Sequence, residues 1–107
     1  MTESSSRLDT FRAMVARNPT NALARFGLAN EAAKAALHAE AVEQYAAYLA
    51  SYDDEGNGWQ RMSESLVQLG RTDEACDALR KGIAASKRFG HGGMAAELED
   101  RLEELGG

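Results

Sequence analysis

Few residues in this chain have the type and spacing to carry out chemistry. Cys76 is the single cysteine. A cysteine nucleophile needs a neighbouring base and a depressed pKa, and without them Cys76 reads as a small core residue. One cysteine also rules out an intrachain disulfide and a cysteine-based zinc site. His38 and His91 have no ligand partner four residues away along a helix, so no metal site is expected. Gly90-His91-Gly92-Gly93 lacks the Lys-Ser/Thr that completes a phosphate-binding loop and reads as a flexible link. No acid/base pair, nucleophile set or cofactor motif appears. The expectation is a protein that is not an enzyme and uses no cofactor.

The stronger signal lies in the elements. Ala22 to Asp53 overlies Gly56 to Lys87 without a gap at a shift of 34 residues. Leu28 then falls on Met62, Ala32 on Leu66, Glu40 on Glu74, Ala41 on Ala75 and Tyr45 on Leu79. That period is two antiparallel helices and their turns. Apolar residues at helical spacing predict helices near 7–17 (Leu8, Phe11, Met14, Val15), 21–35 (Leu28, Ala29, Ala32, Ala36) and 39–52 (Ala41, Val42, Tyr45, Tyr48, Leu49, Tyr52). Three more are predicted near 57–69 (Trp59, Met62, Leu66, Leu69), 72–88 (Ala75, Cys76, Leu79, Gly82, Ile83) and 94–105 (Met94, Leu98, Leu102, Leu105). Ser6 reads as a cap of the first helix. Asn18-Pro19 ends that helix, because the residue before proline is pushed out of the α region. Residues 53–57 form the turn between repeats. Gly70 is free to take a left-handed backbone at its helix end. Thr72 reads as a cap, with Asp73 and Glu74 facing the positive end of the helix dipole.

At 107 residues the chain is one domain, 7–107, behind a disordered tail at 1–6. A formal charge of −5 disfavours nucleic acid as a partner. No stretch approaches the roughly 20 apolar residues that span a bilayer, and the polar N-terminus does not resemble a signal peptide. A cytoplasmic protein with no membrane partner is expected.

The run Trp59-x-x-Met62-Ser63-x-x-Leu66, then Leu69-Gly70-Arg71-x-Asp73-Glu74-Ala75 and Leu79, resembles a tetratricopeptide repeat (TPR). Residues 56–89 form the stronger repeat and 22–55 the weaker one. In the weaker repeat, Arg25 stands in the aromatic's place, Ala36 replaces the turn glycine, and Tyr45 keeps the large site on the second helix. Ala41 and Ala75 are the small residues where paired helices cross. Residues 7–17 look like an orphan second helix and 94–105 like a polar cap. The resemblance implies an all-α, right-handed α-solenoid of antiparallel helix pairs, six helices in all.

It also implies a concave groove lined by the first helix of each pair. The residues it would present to a peptide are Leu23, Phe26, Asn30 and Lys34 from one repeat and Gln60, Glu64 and Gln68 from the next, with Val67 close by. Some TPR proteins clamp a terminal carboxylate with lysines and asparagines. Here Phe26 and Glu64 stand where a lysine and an asparagine would be, and Glu64 would repel that carboxylate. Phe26 is either an apolar anchor for a ligand or a core residue packed on Phe11 and Met14. The basic residues Arg80, Lys81, Lys87 and Arg88 read as a solvated, dipole-compensating helix end, with an anion-docking patch as the alternative. The implied function is a protein–protein interaction module or adaptor that binds a peptide or a partner's helix, as a monomer or weak homodimer. The alternative is a structural subunit that self-associates through exposed apolar helix faces.

Overall fold

A computed structural model describes residues 3–107, with side chains from Ser6 onward. Six α-helices make up the described chain: α1 (Glu3–Arg17), α2 (Ala22–Lys34), α3 (His38–Ser51), α4 (Asn57–Gln68), α5 (Thr72–Arg88) and α6 (Gly92–Glu104). No strand occurs among the described residues, and no helix is long and apolar enough to cross a membrane. The helices fall into two compact units, Met1–Tyr52 and Asp53–Gly107.

In the first unit α2 packs on α1 and on α3. The small stripe Ala24, Leu28, Ala29 and Ala32 of α2 is buried against Ala41, Val42, Tyr45 and Tyr48 of α3. Ala29, Ala32 and Ala41 are fully buried, because only a methyl group fits where the helix axes come close. Leu8 anchors α1, and the Phe11 ring lies so close to Gly27 that any β-carbon there would strike it. Arg25 donates to the Pro19 carbonyl (2.8 Å) and to Gln44 Oε1 (2.9 Å). It thereby ties the linker and α3 to α2 at the position where an aromatic was missing. Arg12 forks onto Glu40 with bonds of 3.0 and 2.7 Å. The hydrogen bond from Arg12 is the main reason the Glu40 carboxyl is held below the usual glutamate range; the guanidinium charge adds to it and partial burial opposes it.

In the second unit both α4 and α6 pack on α5. Leu66, Ala75, Ala78, Leu79, Ala85, Ala95 and Leu98 form its core. Gly82 is where the three helices meet: a β-carbon there would lie 3.0 Å from both Trp59 Cβ and Leu98 Cδ1. Residues 53–55 belong to this unit rather than to a free turn between repeats. Buried Asp54 accepts from the amides of Gly56 (2.7 Å) and Gly58 (2.8 Å), Ser86 Oγ donates to the Glu55 carbonyl (3.1 Å), and Arg88 pairs with Asp53 (2.5 Å). The two bonds to Asp54 satisfy the amides of Gly56 and Gly58, which have no helical partner at the start of α4.

Several boundaries differ from expectation for local reasons. Helix α1 is already under way at Glu3, so the expected tail at 1–6 is helical from Glu3, residues 1 and 2 lying outside the described chain. Ser6 therefore sits inside the helix, where its carbonyl accepts from Thr10 Oγ1, and does not cap it. Thr72 is the first helical residue of α5; the cap is Arg71, which makes no side-chain cap bond. Asn21 does cap α2, accepting from the Ala24 amide. Gly92 and Gly93 open α6, so the break between α5 and α6 narrows to 89–91 and is no flexible link. Ala36 is exposed in a turn and lies off the core stripe.

Candidate functional site

In the first unit the expected groove residues are largely engaged. Phe26 is half-buried and packs on α3: its ring centroid is 4.5 Å from that of Tyr48 and 6.0 Å from that of Tyr45. Tyr48 in turn stacks on Tyr52 at 5.2 Å, so three rings run from α2 to the end of α3. The Tyr45 hydroxyl donates to Asn30 Oδ1 at 2.6 Å. The Lys34 ammonium lies 3.6 Å from the buried carboxylate of Glu31, which also meets Arg7 at 3.1 Å. Leu23 alone of the four projects freely, at 69% exposure.

The second unit is different. An open cleft of about 350 Å³ runs between α4 and α6, lined by Ser63, Glu64, Val67, Gln68, Leu79, Arg101, Glu104 and Leu105. Two helices that pack on the same third helix leave such a channel when their facing side chains do not interdigitate. Each wall uses one residue spacing. Glu64, Val67 and Gln68 are at i, i+3 and i+4 on α4, and Arg101, Glu104 and Leu105 repeat that spacing on α6, so each trio shares a face. Leu79 of α5 closes the floor with Val67 and Leu105 beside it.

The polar groups at this rim are unpaired. Glu64, Gln68, Arg101 and Glu104 make no side-chain hydrogen bond or ion pair with another described residue. Elsewhere in the unit some charges are paired: Arg71 with Glu74, Arg80 with Asp77 (2.9 Å) and Lys87 with Glu99 (3.2 Å), while Lys81 sits 5.4 Å from the centroid of the Trp59 ring. Others, such as Asp73, Glu97, Asp100 and Glu103, are exposed as the rim groups are. The basic residues from 80 to 88 thus have partners within the unit, with Arg80, Lys87 and Arg88 still more than half exposed. A rim of unpaired donors and acceptors over an apolar floor can hold an extended peptide backbone while burying one of its side chains.

Of the seven expected contact residues, the cleft brings together Glu64 and Gln68. Gln60, one turn earlier on α4, does not line it. Arg101 and Glu104 also line it without being among the expected residues, as does Leu105, whose spacing in the sequence suggests only a cap. The signal available was the i, i+3, i+4 spacing on α6, obscured because an acidic last helix also suits a solvated cap. Among the described residues no three of His, Cys, Asp and Glu gather as metal ligands, and Cys76 is buried.

Comparison with solved structures supplies a match to this fold. The crystal structure of PcrH in complex with the chaperone binding region of PopD aligns with a TM-score of 0.86, covering 96% of this chain and 78% of that one at 20% sequence identity. Neither a protein-family model nor a curated protein matches the chain. The six helices and the absence of strands among the described residues thus coincide with a TPR-like helical repeat fold.

Proposed function

We propose that this protein is a non-catalytic interaction module that holds a segment of a partner protein in the cleft between α4 and α6. The observation that carries this reading is the α4–α6 cleft, where four polar side chains without internal partners surround an apolar floor. These exposed groups are hydrated in the free chain and can exchange that water for the amides and carbonyls of a bound backbone. The partner-bound state of PcrH, a protein of like fold, supports the same class of function. The alternative of a self-associating subunit draws on exposed Leu23, Leu37, Tyr52 and Phe89.

The test is selection of short random peptides on the immobilised full chain, followed by NMR mapping of the enriched peptides. Shifts clustered on Glu64, Val67, Gln68, Arg101 and Leu105 are expected, and Val67→Gln, at an exposed position, should remove binding without lowering the melting temperature. A library that yields no enrichment, or shifts confined to the outer faces of α3 and α5, would refute the reading.

A further inference from the structure

The charge of this protein is unevenly placed. Residues 1–52 hold five acidic and five basic side chains, whereas residues 53–107 hold twelve and seven, so the whole formal charge of −5 belongs to the unit that contains the cleft. The lining of the cleft itself holds two carboxylates, Glu64 on α4 and Glu104 on α6, against a single guanidinium, Arg101 on α6. From this charge pattern we infer that the cleft selects a cationic segment: one large apolar side chain with a lysine or arginine next to it. The inference rests on the interaction-module reading and adds to it the chemistry of the partner.

Each lining group then has a task suited to its type. Val67, Leu79 and Leu105 receive the apolar anchor, and a volume of about 350 Å³ is at the small end for a binding pocket, which favours one anchor over several. Glu64 and Glu104 accept from the neighbouring ammonium or guanidinium. Arg101, with donors only, and Gln68, with both donors and acceptors, suit the carbonyl and amide groups of the segment's backbone. An acidic segment would meet both carboxylates as well as the unit's net negative field. Exposed Glu97, Asp100 and Glu103 on α6 extend that field beyond the cleft, which favours arrival of a basic partner over an acidic one.

The peptide selection described above separates the two ideas. Enriched peptides should carry Lys or Arg beside a Leu, Met, Phe or Ile and should be poor in Asp and Glu. In the strongest binder, replacing that basic residue with glutamate should weaken binding to the wild-type chain, and the loss should shrink as salt is raised. The double variant Glu64→Gln/Glu104→Gln should bind the unchanged basic peptide about tenfold more weakly, the scale expected for two exposed ion pairs. Enrichment without a basic bias, or a basic preference that survives in the double variant, overturns this inference and leaves the module reading standing. Failure to enrich any peptide overturns both.

Discussion

The two helical hairpins of this protein share a period and a turn but dispose of their polar groups in opposite ways. In α2–α3 the side chains expected to face a ligand are bound at home: Phe26 to Tyr48, Asn30 to Tyr45, Lys34 to Glu31. In α4–α5 their counterparts Glu64 and Gln68 have no internal partner and look into a cleft whose other wall is α6. The first unit is electrically neutral by count and the second carries all of the excess acid. Period and turn chemistry therefore specify a repeat, while a few residues decide whether its face is closed by its own side chains or left open to another molecule. The turns make the point in miniature. Helices α2, α4, α5 and α6 all end with the same pair of backbone bonds around one left-handed residue, and that residue is glycine at 70, 90 and 106 but alanine at 36 (φ 60°).

Substitutions can break or sharpen this contrast. The largest effect is expected from truncating the cores. Leu98→Ala and Leu28→Ala, both at essentially buried leucines, should each destabilise by about 2–5 kcal/mol. If the α6 substitution proves harmless in a denaturant titration, α6 is not a true wall of the second unit. Overpacking should be felt alike in both hairpins. Ala41→Leu and Ala75→Leu fill sites with no exposure and should each cost about 1–3 kcal/mol, and a midpoint that moves for only one would show that the crossings are not equivalent.

The turns should respond with opposite signs. Ala36→Gly relieves a left-handed alanine and should stabilise by about 1 kcal/mol, whereas Gly70→Ala imposes that strain and should cost a similar amount. Equal signs would mean that the two turns are not the same device. A smaller effect is expected at Glu40. Its folded pKa lies below that of an unfolded glutamate, so its bond to Arg12 stabilises at neutral pH and is lost as pH falls through the folded value. Glu40→Gln should lower the melting temperature slightly at pH 7 and leave it unchanged in strong acid; a difference that grows toward low pH would contradict the assignment.

Much of the architecture was legible in the residues. Trp59, Gly70, Ala75 and Leu79 announce one hairpin, and Ala22–Asp53 repeats its period closely enough to place a second. Helix existence follows from apolar spacing, which is local. The site was legible only in part, because it depends on who meets whom. Phe26 had two apolar surfaces within reach, and only the packed structure reveals that it lies on the tyrosines of α3. The capping role of Asp54 was hidden in a run that reads as a turn, since its partners are backbone amides present in every sequence. Arg101 was overlooked among the acids of α6, where charge suggested a solvated face and spacing alone did not name the wall opposite.

Asp54 also bears on how this chain exchanges its protons with solvent. The stretch Asp53-Asp54-Glu55-Gly56-Asn57 reads as a surface loop, yet the amides of Gly56 and Gly58 both end on one buried carboxylate oxygen. Deuterium should therefore enter these two positions slowly, at rates set by opening of the α4–α6 unit rather than by loop motion. Asp54→Ala should release both at once, giving two glycine resonances that fade within the dead time of the measurement while the amides of Leu66 and Leu79 stay protected.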